Sequence, residues 1–76
     1  MTTLERLQEI FRDVFEDETI VLTEEMTAAD IEDWDSLMQI TLTMEVEQAF
    51  DIKFTTDDIV KMKNVGDFVK AIEERI

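Results

Sequence analysis

Apolar residues recur at intervals of three and four near the start of the chain: Leu4, Leu7, Ile10, Phe11, Val14 and Phe15. That spacing gathers them on one stripe of an amphipathic helix. Thr2, followed three residues later by Glu5, has the form of a capping box and starts the helix almost at the first residue. The period returns at the far end, where Val65, Phe68, Val69, Ile72 and Ile76 fall on one face behind Asn64, a good N-cap, with Asp67 three residues on. Gly66, the only glycine, lies in the first turn of this last helix, where it costs less than in mid-helix.

Between these two helices the pattern is less regular. From Glu16 to Asp35 periodicity lapses, and Ile20-Val21-Leu22 forms a short apolar clamp within acidic flanks. A structureless loop of that length is rare in a compact domain. The stretch is therefore expected to lie along the helices, pinned by Ile20, Leu22 and Ile31, with a helical turn near Thr27–Asp30. Further on, Ile52 and Phe54 read as an inward-tucked connection. Thr55-Thr56-Asp57-Asp58 offers a threonine cap with acids in the first turn, opening a short helix through about Met62.

The segment from Ser36 to Phe50 supports two readings. Ile40, Leu42, Met44 and Val46 alternate with Thr41, Thr43, Glu45 and Glu47, as in a half-buried strand. Against this, Leu37, Ile40 and Met44 share one helical face, while Leu42, Val46, Ala49 and Phe50 share another. Such a helix is central, or it turns one apolar stripe to a partner. Asp35 suits the N-cap, because its carboxylate can accept a first-turn N–H. The pattern favours helix without excluding strand.

Composition narrows the function. Seventy-six residues make one domain, 1–76, with room for one core. There is no cysteine, histidine, tyrosine or proline, so disulfides, thiol catalysis, thiolate or histidine metal sites and histidine proton transfer are all excluded. A single glycine cannot build a phosphate-cradling loop. This is not an enzyme's composition. Twenty acidic residues against seven basic give a net charge of −13, which repels nucleic acid and anionic membranes and steers basic partners towards the chain. Neither a signal peptide nor a run of membrane-spanning length is present, so a cytoplasmic protein is expected.

The acidic clusters do not form a calcium loop. Counting from Asp33 puts Leu37 at position 5, Met38 at the glycine position and Met44 at the bidentate glutamate position. No metal site is assigned. Glu24-Glu25 and Asp57-Asp58 read as solvated surface rather than as catalytic pairs. Ser36 is different. It follows the candidate cap at a helix mouth, where free N–H groups and the dipole favour an attached phosphate. It has no histidine to activate it, so it is a better substrate than nucleophile.

Asp35-Ser36-Leu37 at the head of the second helix resembles the attachment motif of the acyl carrier proteins. The resemblance covers essentially the whole chain. It includes the long loop before the serine, Glu45-Val46-Glu47-Gln48-Ala49-Phe50, the Ile52-Lys53-Phe54 return and the closing Val65-Gly66-Asp67-Phe68-Val69. It implies an all-α four-helix bundle with one short helix and a long loop between helices one and two. It also implies a carrier rather than an enzyme, bearing 4'-phosphopantetheine on Ser36. A phosphopantetheinyl transferase would install the arm from coenzyme A, and its thiol would hold acyl groups as thioesters. Leu37, Ile40 and Met44 match the partner-facing stripe, and Glu47 an acid that meets basic enzyme surfaces. Leu42, Val46, Phe50, Phe54, Ile59 and Met62 become candidates to line an acyl pocket. The partners implied are acyl-loading and acyl-transfer enzymes, and the carrier is expected to be a monomer.

Met38, Thr41 and Gln48 depart from carriers of primary fatty-acid synthesis, and Trp34 stands where smaller residues are usual. These departures point to a specialised lipid, polyketide or related pathway. The glycine that peptidyl carriers place before the serine is absent. The alternative is an unmodified acidic helical adaptor or inhibitor of a basic protein.

Overall fold

A computed structural model describes residues 2–76 and is all-helical: α1 Thr3–Phe15, α2 Ser36–Phe50, α3 Thr56–Lys61 and α4 Val65–Glu73. Each helix begins at a side-chain cap visible in the sequence. Thr2 and Glu5 form a reciprocal capping box on α1, and Thr55 and Asp58 form another on α3. Asp35 caps α2 through the Met38 N–H, and Asn64 caps α4 through the Asp67 N–H at 2.7 Å. α1 and α2 each end on a left-handed residue, Glu16 and Asp51, which closes the last turn and reverses the chain.

α1, α2 and α4 supply most of the core. Leu7, Phe11, Leu42, Val46, Val65, Phe68 and Ile72 are fully buried, and Phe11 meets Phe68 edge-on at 6.0 Å. α2 explains the ambiguity of its own pattern. Its inner face buries Leu42, Val46 and Phe50, while Leu37, Ile40 and Met44 stand exposed on the outer face. Two apolar stripes on one helix, superposed along the chain, read as strand-like alternation. Thr43, buried between them, satisfies its hydroxyl on the Gln39 carbonyl one turn back.

The long loop lies along the helices as expected, with Ile20, Leu22 and Ile31 buried and Val21 turned outward. A turn closes at Thr27–Asp30 through a backbone bond of 2.9 Å. Two further ties carry no periodic signal. Gln8 accepts the Leu22 N–H, and Arg12 donates to the Ile20 carbonyl at 2.8 Å. The loop also pairs with the entry to α4: Val65 N–H donates to Met26 O at 2.9 Å and Gly66 N–H to Glu24 O at 2.8 Å. A Cβ at Gly66 would sit 3.1 Å from that Glu24 oxygen, so glycine lets the loop approach closely. Ile76, expected on the α4 stripe, instead lies beyond the helix end and is exposed, because α4 stops at Glu73.

The arginines bond backbone carbonyls. Arg6 donates to the Ala49 carbonyl with its guanidinium over the Phe50 ring, and Arg75 donates to Lys53 and Ala71 carbonyls beside Phe54. Arg75 also pairs with Asp58, the one ion pair among the described residues. The four lysines are exposed, outnumbered on the surface by acids.

Three carboxyls are held below the ordinary carboxylate range, chiefly by hydrogen bonds from neighbouring threonines. Glu5 is lowered by the Thr2 N–H and hydroxyl, and Asp17 by the Thr19 hydroxyl and N–H. Asp58 is lowered by the Thr55 N–H and hydroxyl, with Arg75 adding to them. The unfolded chain takes up these protons first as pH falls. The stabilisation is therefore complete above the unfolded value of about 4 and is lost as pH drops through the lowered folded values. Asp58→Asn should accordingly lose less melting temperature than the wild type between about pH 5 and pH 3. Equal losses in a thermal-melt series would refute the role given to Asp58.

Candidate functional site

The mouth of α2 is built from the loop upward. Trp34, the last residue before the cap, is buried with its ring edge-on to Phe11 at 5.2 Å and tilted against Phe68 at 6.2 Å. Its Nε1–H donates to Gln39 Oε1 at 2.7 Å, and Gln39 Nε2 donates on to the Met62 carbonyl at 3.0 Å. One amide side chain thus joins the end of the loop, the first turn of α2 and the end of α3. A buried indole N–H needs an acceptor, and Gln39 supplies it.

Above this anchor Asp35 sets the cap. Its carboxylate accepts from Met38 N–H at 2.9 Å, and its carbonyl accepts the Gln39 N–H, the first helical bond. Ser36 is the first residue of the helix and is exposed. Its hydroxyl stands at the positive end of the α2 dipole, where an anionic ester is favoured. α2 contains no basic residue. Among the described residues no group of His, Cys, Asp or Glu side chains is arranged to hold a metal ion, and no helix is long and apolar enough to cross a membrane.

Beside Ser36 an open groove of about 500 Å³ runs between α2 and α3, flanked by Ile40, Ile59 and Val60 and floored by Trp34 and Met62. Of the six pocket candidates named from the sequence, Ile59 and Met62 line this groove. Leu42, Val46 and Phe50 are packed into the core, and Phe54 is half-buried under the Arg75 guanidinium. Leu37, Ile40 and Met44 are 70, 52 and 53% exposed and form a continuous outer stripe running down from Ser36. Glu47 is half-buried, and one of its oxygens accepts the Phe54 N–H at 2.7 Å, tying α2 to the connection that follows it.

Sequence reasoning passed over Gln39 and Val60 and gave Trp34 no structural task. A tryptophan with a glutamine five residues on is a faint signal, legible only once the indole is known to be buried.

Comparison with known proteins accords with this geometry. The family described as the phosphopantetheine attachment site matches residues 5–72. An acyl carrier protein of Streptococcus pyogenes is 37% identical over 75 residues, spanning 99% of this chain and 97% of its own. One from Phenylobacterium zucineum is 34% identical over 73 residues, with 96 and 92% covered. The solution structure of a holo acyl carrier protein from Geobacter metallireducens superposes with a TM-score of 0.91 at 44% identity, covering 99% of this chain and 86% of that one. The fold and the helix mouth define a phosphopantetheine-bearing carrier, and the chain belongs to the acyl carrier protein family. It is a carrier and not an enzyme, its prosthetic group is covalent 4'-phosphopantetheine, and membership implies service by a phosphopantetheinyl transferase and use by biosynthetic enzymes. The adaptor alternative is set aside by that membership.

Removing the Asp35 carboxylate leaves the Met38 N–H without its acceptor. Asp35→Ala should therefore cost about 1 kcal/mol of stability in a denaturant titration followed by Trp34 fluorescence. A loss under about 0.3 kcal/mol would contradict the cap.

Proposed function

We propose that Ser36 receives the arm and that the chain, as a single domain over residues 1–76, presents acyl groups to partner enzymes. The observation that carries this reading is an exposed hydroxyl on the first residue of α2, directly after the Asp35 cap and at the edge of an apolar groove. Modification joins the Ser36 oxygen to the phosphorus that bears pantetheine in coenzyme A. The phosphoanhydride bond breaks, adenosine bisphosphate leaves, and the hydroxyl proton passes to a base on the transferase. The arm then supplies the thiol that this cysteine-free chain lacks.

Within this reading, Leu37, Ile40 and Met44 form the apolar contact with a partner. A net charge of −13 draws in partners with basic surfaces at a rate that falls with salt. Glu47 faces the partner with one oxygen while the other holds Phe54. Ile59 and Met62 belong to the groove, while Leu42, Val46 and Phe50 stay in the core and Phe54 beside Arg75. The carrier acts as a cytoplasmic monomer in a specialised lipid, polyketide or related pathway. The support for this last point is an α2 outer face that is more apolar than acidic.

Incubation with coenzyme A and a broad-specificity transferase tests the assignment by intact mass. A gain of one phosphopantetheine, abolished in Ser36→Ala, is expected. No gain in the wild type, or an undiminished gain in the variant, would overturn it.

A further inference from the structure

Two side chains, Trp34 and Met62, separate the groove beside Ser36 from the core, and Trp34 is the one that packs on its aromatic centre. The outer edge of Trp34 forms the groove floor. Its inner edge meets Phe11 and Phe68, both fully buried. The indole is 5% exposed, and its N–H is fixed to Gln39, which is in turn fixed to the Met62 carbonyl. Swinging it aside would break that bond, leave the N–H unpaired and strip two aromatic rings of their contact.

Cargo tethered at Ser36 enters by the groove, so the route to the Phe11 and Phe68 rings runs through the position the indole occupies. The core behind it is closely packed, and a chain that intrudes must displace rings rather than fill space. Methylenes gain from leaving water, but the apolar groove walls already offer that gain. Ile40 and Val60 stand on its two sides, 52 and 67% exposed, with surface to spare for a short chain.

Resting on the attachment at Ser36, we propose that Trp34 determines cargo: it stops an acyl chain at the groove floor. The carrier is thereby matched to short acyl groups, which lie against Ile59 and Val60. The outer methylenes of longer chains are held on the solvent side and never reach Phe11 or Phe68. Gln39 is the positioning residue that keeps the indole closed.

The test uses the full chain loaded from coenzyme A, with loading read first by intact mass. Failure to load would refute the Ser36 assignment itself, and this proposal with it. Successful loading isolates the question of Trp34. Butyryl and dodecanoyl forms, isotope-labelled at the terminal methyl, are then compared by nuclear Overhauser contacts. The butyryl methyl should contact Ile59 and Val60, and the dodecanoyl methyl should show no contact to the Phe11 or Phe68 rings. In Trp34→Leu the dodecanoyl methyl should gain contacts to both rings. Ring contacts in the wild type, a butyryl methyl with no groove contact, or a folded Trp34→Leu that gains none would each overturn the proposal. The wild-type comparison needs no substitution and decides the matter even where the variant does not fold.

Discussion

The structure depends on one buried aromatic contact with a polar tip. Trp34 gives its ring to Phe11 and Phe68 and its N–H to Gln39, so the last loop residue before α2 is held in both an apolar and a directional grip. A small domain has little stability to spare, and a long loop without such an anchor would leave the helix mouth loose. Because Gln39 continues to the Met62 carbonyl, the same grip joins α2 to the end of the short α3. Asp35 and Ser36 follow in sequence and are carried at a defined place.

From that anchor the division of labour along α2 follows. The helix spends one face on the core and leaves another, Leu37, Ile40 and Met44, apolar and exposed. Exposed apolar side chains in a row cost solubility unless something covers them, and the surplus of acids offsets that cost by keeping copies apart. The arginines have a structural task. Each satisfies backbone carbonyls at a joint between elements, so these cations are engaged in holding the fold. On the proposed reading, a partner would meet an apolar stripe beside acidic side chains, with the cargo tethered at its head.

Much of this was legible in the chain. Thr2, Asp35, Thr55 and Asn64 announced the helix starts because capping is local, a matter of one side chain and the N–H three residues on. The stripes of α1 and α4 were legible for a similar reason. α2 was ambiguous because two apolar faces on one helix cancel the single periodicity that pattern reading relies on. What stayed hidden were contacts that follow no helical or capping period, such as Arg12 on Ile20, Glu47 on Phe54 and the pairing of Thr27 with Asn64. Trp34 was conspicuous as the one tryptophan, yet its acceptor could not be named until the fold brought it against Gln39. Ile76 shows the converse error: it kept the period of α4, but the helix had already ended.

The grip on Trp34 is open to direct measurement by hydrogen exchange at its indole N–H, followed by NMR beside the backbone amides of Val46 and Phe68. If the indole is locked as described, it exchanges only when the whole domain opens, with the same protection free energy as those core amides. Exchange at the rate of a free indole while Val46 and Phe68 remain protected would show the anchor to be loose, and the account of how this helix mouth is held would be wrong.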